Sequence, residues 1–250
     1  MNPNNETLEL LNRHASVRQY KDTLVSEEQL AAIISAAQMA STSSNVQAYS
    51  VISVTDPGLR SQLAELAGNQ AYIEQAPVFL VWCADLYRLR EASAPHLAGG
   101  SSYEDTTENL IVATVDVALA AQNAAVAAES LGLGIVYIGG IRSKIAEVSE
   151  LLGLPELVYP VFGMCVGYPA ARTGLRPRLP LQAVLHRNGY DAATTLEQVK
   201  VYDEESRVYM RERTGGANDT PWSEMMAKRI SEPARMQLKD FLQAKGFLRR

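Results

Sequence analysis

Residues 13–20 read RHASVRQY and set Arg13, His14 and Arg18 around Ser16. Much later, TGLRPRLPLQAV (173–184) places Arg176 and Arg178 one residue apart, flanked by Pro177 and Pro180. Both stretches could grip an anion. A guanidinium is a planar fork of donors that matches phosphate, and imidazole and hydroxyl add further donors. Alternate residues of an extended segment share a face, so Arg176 and Arg178 can point at one spot. The prolines stiffen that segment and reduce the entropy lost in fixing two long side chains. Each cluster also has a plainer reading. Arg13 and His14 would suit the negative end of a helix dipole, and the arginines at 176 and 178 would suit a solvated loop. The first plain reading leaves Ser16 and Arg18 unexplained.

Two more stretches could meet a ligand. ASTSSNVQAYS (40–50) carries four consecutive hydroxyls, which would line the rim of a polar ligand or simply form a capped, solvated loop. YIGG (137–140) puts two glycines at the end of a strand, where backbone can approach a flat ligand closely or merely turn.

Other chemistries find no support. Gly132, Gly134 and Gly139 do not make G-x-G-x-x-G, and the first of them end a helix where the dinucleotide fingerprint follows a strand. No G-x-x-x-x-G-K-[ST] loop and no G-x-S-x-G elbow occurs. His14, His96 and His186 are scattered without zinc-ligand spacing, so no metal is expected. Side chains alone advertise no reaction, and a bound organic cofactor is the economical source of one.

The elements that must position these groups can be read from periodicity. Helices are expected over 6–13, 25–40 (with Ser26 as N-cap), 56–68 and 104–131, the last alanine-rich and apolar on most faces, as a helix buried inside a domain would be. Strands are expected at 47–55, 77–85, in GIVYIGG and in YPVFGMCVGYP. IRSKIAEVSELLG reads as helix, residues 88–103 as a mobile surface loop, and 196–213, 222–231 and 233–245 as a polar helical tail. Strands and helices intermix without regular βαβ alternation. The expected fold class is α+β, a mixed, mostly antiparallel sheet packed around a long buried helix. The chain reads as a single domain over 1–250, with about 181–250 a helical extension wrapped on the core.

At 250 residues, 47% hydrophobic and 20% charged, the chain suits a globular domain with a sizeable core. A net charge of −5 argues against a nucleic-acid partner. The N-terminus lacks a basic region followed by an apolar stretch, and no window approaches eighteen consecutive apolar residues, so neither a secretory signal nor a membrane span is expected. Cys83 and Cys165 both sit in apolar strand-like runs and read as small buried thiols, which fits a cytoplasmic location.

Taken together, H-A-S-V-R, ASTSSNVQAYS, LAGNQAY, VWCADLYR, AAQNAAVAAESLGLGIVYIGGIR, FGMCVGYPA and RPRLP resemble the flavin-dependent nitroreductase superfamily, in its branch of NAD(P)H:FMN oxidoreductases and oxygen-insensitive NADPH nitroreductases. The resemblance runs from about Glu6 to Phe247. It implies a homodimer with FMN at each of two interface sites and NADPH or NADH as co-substrate. It assigns the FMN phosphate to His14, Ala15 and Ser16 with Arg176 and Arg178, and the pyrimidine side of the flavin to Arg18 and Gln70. Thr42, Ser43 and Ser44 would line the site from the neighbouring subunit, and Tyr137, Ile138, Gly139 and Gly140 would run backbone along the ring. Arg142, Arg213 and Arg235 would face the open side, where NADPH or the acceptor enters.

The implied activity is ping-pong hydride transfer through FMN N5 to nitroaromatics, quinones or free flavin. The catalytic chemistry belongs to FMN, with Arg18 as electrostatic support. The alternatives are a flavin reductase that supplies a partner monooxygenase, or a non-catalytic flavin-binding protein. Two positions depart from the family pattern. Ala15 stands where arginine is usual, and RERTGGANDTPW (211–222) keeps Arg213 but lacks the further basic residues often found between it and the tryptophan, which would favour NADPH.

Overall fold

The helix expected over 104–131 forms over Thr107–Ser130, and its alanines explain how a sheet can come close to its axis. Ala113, Ala120, Ala121, Ala124, Ala125 and Ala128 are all buried. The computed structural model describes residues 5–171 and 174–250. They fall into two units, the second being Gly174–Ala234; the first holds the described residues up to 171 together with Arg235–Arg250.

In the first unit the chain forms α1 (Glu6–Asn12), α2 (Glu27–Gln38), β1 (Tyr49–Val54), α3 (Pro57–Leu66), α4 (Tyr72–Gln75), β2 (Val78–Asp85), α5 (Tyr87–Ser93), α6 (Thr107–Ser130), β3 (Gly134–Ile138), α7 (Ile145–Leu151) and β4 (Val158–Gly167). The second unit contributes α8 (Ala192–Arg213) and α9 (Trp222–Ser231), and the chain ends in the first unit with α10 (Leu238–Ala244). The strands make one sheet in the order β1-β2-β4-β3, antiparallel at every pairing. The mixed sheet expected from sequence thus reduces to antiparallel pairs. One face packs with α6 and α2 around Trp82, Leu80, Ile135 and Met164; the other packs α3, α4 and α7 around Phe79, Val81, Val136 and Leu63.

Several element ends follow local chemistry. Ser26 caps α2 in a capping box with Gln29. Asp56 caps α3, Pro57 opens it, and Gly68 follows it in a left-handed conformation (φ 94°). Cys83 and Cys165 lie on β2 and β4, fully buried, and burial pushes both thiols up to about 12, which leaves them protonated and unreactive. By length and composition α6 could cross a membrane, but its buried residues pack against α2 and the sheet, and it is the core helix.

The loop expected at 88–103 is corrected in its first half. Tyr87–Ser93 is α5 and Ala94–His96 a 3₁₀ turn, because YRLREAS is rich in strong helix formers. The final helix is shorter than the expected 233–245, since Pro233 and a left-handed Arg235 (φ 55°) precede it. Conversely α8 starts four residues early, capped by Asp191, whose side chain accepts from Thr194 N–H.

Candidate functional site

After α1 the HASVR stretch runs along the free edge of β3. Val17 N–H donates to the Ile135 carbonyl at 2.8 Å, and Tyr20 forms a bridge with Pro169 beyond β4. The Tyr20 hydroxyl turns back to donate to the Val17 carbonyl at 2.7 Å, and burial pushes its phenol well up. Gly134 makes this approach possible. A Cβ there would lie 2.4 Å from Val17 Cγ2 and 3.0 Å from Pro169 Cγ. The second glycine of GLG, which sequence reading assigned to a helix end, is a close-packing residue; Gly132, left-handed at φ 78°, is the one that ends the helix.

With Val17 turned into the core, the other side chains of the stretch remain accessible. His14, Ala15 and Ser16 are half-buried and Arg18 is exposed. The His14 ring is not free: its Nδ1 lies 2.5 Å from Oε1 of Glu129, in the last turns of α6.

At the other end of β3 the YIGG backbone passes into a 3₁₀ turn, Gly139–Arg142. Tyr137 packs edge-on against Phe162, with ring centroids 5.0 Å apart; burial first, and the Glu129 carboxylate second, push its phenol up. Ile138 is buried. Gly140 lies against Gln70: a Cβ would fall 2.2 Å from Gln70 Nε2 and 2.3 Å from the Ala67 carbonyl. Gln70 Nε2 donates to that carbonyl at 2.6 Å, and Tyr72 OH donates to Gln70 Oε1. Among the described residues the second amide proton of Gln70 has no hydrogen-bond partner. Arg60, half-buried on α3, donates to the Ile73 and Ala76 carbonyls and so ties down the α4 segment next to Gln70. Burial lowers the affinity of its guanidinium for its proton.

Arg142 and Arg235 stand near each other. Arg142 is half-buried and donates to the Val161 carbonyl; burial, then the charge of Arg235, lower its pKa. Its guanidinium is therefore partly used as a backbone tie as well as lying beside Gly139.

The hydroxyl run is held by a residue that sequence reading missed. Asp116 of α6 is fully buried, and its two carboxylate oxygens accept from Ser43 N–H at 3.1 Å and Ala48 N–H at 3.0 Å. Between these anchors Ser44, Asn45 and Gln47 all take positive φ, 47°, 58° and 55°, a left-handed run that the two bonds to Asp116 bracket. Thr42 Oγ1 closes the arch by accepting from Gln47 N–H. Ser43 and Ser44 are thereby exposed. The signal was present: Asp116 is the lone carboxylate in VDVALAAQNAAVAA, and a buried charge requires donors.

The remaining cations belong to the second unit. Residues 174–180 form neither helix nor strand, and Arg176 and Arg178 are exposed. Tyr202 OH donates to the Pro177 carbonyl at 3.0 Å, and Arg178 Nη1 to the Arg176 carbonyl at 3.1 Å. Burial pushes the Tyr202 phenol up, and the charges of Arg178 and Arg176 oppose that rise. Tyr202 in turn packs against Trp222, with centroids 5.8 Å apart. Arg213 is exposed in the last turn of α8.

Residues 11–168 match the model of the nitroreductase family, and residues 176–250 match that of the nitroreductase family C-terminal domain. The chain belongs to the nitroreductase family. It is 44% identical over 248 residues to an FMN reductase (NADPH) of Bacillus subtilis, spanning 97% of this chain and 98% of the relative. Its fold is similar to that of B. megaterium NfrA1, with a TM-score of 0.95 at 44% identity, covering 98% of this chain and 100% of that one. It is also similar to the NADPH:FMN oxidoreductase of Vibrio harveyi complexed with NAD+, with a TM-score of 0.89 at 37% identity over 98% and 100% of the two chains. This nitroreductase-family protein is accordingly an enzyme of the NAD(P)H-dependent flavin oxidoreductase and nitroreductase group.

Proposed function

We propose that the chain is an FMN-bound NAD(P)H oxidoreductase that reduces nitroaromatics, quinones or free flavin. The observation that carries this reading is the HASVR segment laid along β3, with donors at His14, Ser16 and Arg18, while the same strand ends in glycine backbone beside Gln70. This donor set fits FMN. A phosphate of nearly two charges calls for imidazolium, hydroxyl and guanidinium, and a planar ring calls for accessible backbone. His14 and Ser16, with Arg176 and Arg178, would hold the phosphate; Arg18 and Gln70 would hold the pyrimidine edge, where fixed positive charge favours the reduced flavin. Ala15 would add backbone only. Tyr137, Ile138, Gly139 and Gly140 would flank the ring, and Arg142, Arg213 and Arg235 would orient NADPH or NADH and anionic acceptors. Bound there, FMN supplies hydride relay at N5, in ping-pong order.

The active form in this reading is a homodimer. Ile111, Val115 and Leu119 are 52%, 47% and 44% exposed and recur every four residues along α6, an apolar stripe suited to a second copy. The Asp116-held arch would present Thr42, Ser43 and Ser44 to the partner's flavin, and residues from about 181 onward would wrap the partner within one domain. A cytoplasmic location belongs to the same reading. The test is anaerobic titration of the yellow protein with NADPH and with NADH, followed by reoxidation with a nitrofuran, a quinone and free FMN. Bleaching by a nicotinamide and recovery with an acceptor is expected; FMN-loaded protein that neither nicotinamide bleaches would refute the enzyme mechanism.

A further inference from the structure

The pairing of His14 with Glu129 constrains which proton His14 can offer. Glu129 is 14% exposed and His14 31%, and the two side chains meet at 2.5 Å through Nδ1. A carboxylate has no proton to donate, so Nδ1–H must be the donor. In a neutral imidazole only one ring nitrogen carries hydrogen, and Nε2 is then a bare lone pair. A bare lone pair repels a phosphate oxygen. With Glu129 in place, His14 can hold a phosphate only as imidazolium, when Nε2 is also protonated.

We propose that Glu129 is a positioning residue that couples binding of the FMN phosphate to uptake of one proton at His14. The proposal rests on the reading of His14 as a phosphate ligand. In the complex the ring would stand as a cation between two anions, the Glu129 carboxylate and the phosphate. Arg13 precedes it in the chain and Arg18 follows on the same segment, both exposed. Tyr137 on β3 is near enough to Glu129 for the carboxylate to act on its phenol, and it stays neutral. At Ala15, where a guanidinium would neutralise the phosphate at any pH, there is only a methyl group. Within the HASVR segment that leaves the proton on His14 as the charge offered to the phosphate, in addition to the guanidinium groups of Arg176 and Arg178 assigned to it above. The direction follows from linkage. The bound state holds the proton more tightly than the free state, so affinity falls as pH rises.

The test uses the full-length chain freed of flavin. FMN affinity is measured by flavin fluorescence from about pH 7 to about pH 9, where the phosphate is already a dianion. Riboflavin, which has no phosphate, is titrated in parallel, and calorimetry in two buffers of different ionisation enthalpy counts protons. The expected result is FMN affinity falling by up to roughly tenfold per pH unit, with about one proton taken up, and riboflavin affinity flat. In Glu129→Gln the carboxamide can donate to Nδ1, which restores Nε2–H to the neutral ring, so FMN affinity becomes flat with pH. His14→Gln, whose amide donates at any pH, is expected to be flat as well. An FMN profile that is flat in the unaltered chain, or that slopes equally in Glu129→Gln, overturns the proposal alone. Failure to bind FMN at any pH overturns the flavin reading and the proposal with it.

Discussion

In the first unit, Val17 N–H is bonded to Ile135, Tyr20 OH closes on the Val17 carbonyl, and Glu129 holds His14, so β3 and α6 fix the HASVR backbone at Val17 and the imidazole at His14. In the second unit, Arg176–Arg178 is held by the hydroxyl of Tyr202, which donates to the Pro177 carbonyl, and by a bond from the Arg178 guanidinium to the Arg176 carbonyl. The two basic stretches look alike as sequence and are built by different means. One is anchored to the core; the other is pre-organised mainly by prolines. Where the core sets a position, substitution should change stability and flavin binding together. Where local stiffness sets it, substitution should change binding alone.

The largest expected effect tests the anchored side. Asp116→Ala removes both carboxylate oxygens and leaves the Ser43 and Ala48 N–H groups without partners. It should cost ~3 kcal/mol in denaturant unfolding and weaken FMN binding in the same preparation. Stability within ~0.5 kcal/mol of the parent would show that Asp116 is not the tether.

Gly140→Ala comes next. Its Cβ would meet the Ala67 carbonyl and Gln70 Nε2, with backbone on one side unable to yield. A loss of ~2 kcal/mol is expected, with a lower melting temperature and weaker flavin retention. An unperturbed melting curve would mean that the 3₁₀ turn shifts without cost.

The Arg176→Ala, Arg178→Ala pair should break the symmetry of the comparison. Both side chains are exposed, so stability should stay within ~0.5 kcal/mol. The FMN dissociation constant should rise by roughly ten- to a hundredfold, less at high salt. Equal loss of stability and binding would place these arginines with the anchored class.

Ala15→Arg restores a donor on the anchored segment and should tighten FMN binding by about tenfold. An unchanged dissociation constant would count against a phosphate at this position. The smallest effect concerns the nicotinamide. With Arg213 the only basic residue in 212–222, kcat/KM for NADPH should exceed that for NADH by no more than roughly tenfold.

Much of this was legible in the chain. Ser26, Pro57 and Gly68 announced helix ends because capping is chemistry among residues a few positions apart. VFLVWCAD announced a buried strand by its unbroken apolar run. The α5 helix was hidden because two turns of YRLREAS next to a glycine- and serine-rich stretch give too little periodicity. At the site, residue types drew attention to HASVR, the hydroxyl run and YIGG. Of the partners of those stretches, only Asp116 left a signal, as the lone carboxylate in an alanine-rich apolar run, and even there the groups it would meet were not legible.

The sequence by itself determined which side chains could grip an anion, the apolar pattern that builds α6 and the sheet, and the α+β class, because these depend on residue type and short spacing. Only the tertiary structure decided that Glu129 meets His14 across 115 positions, that Asp116 holds the arch 68 to 73 residues before it, and that Gly134 and Gly140 serve close packing. Those contacts join residues distant in the chain. A buried carboxylate or an approach below van der Waals distance acquires meaning only when the fold supplies the group on the other side.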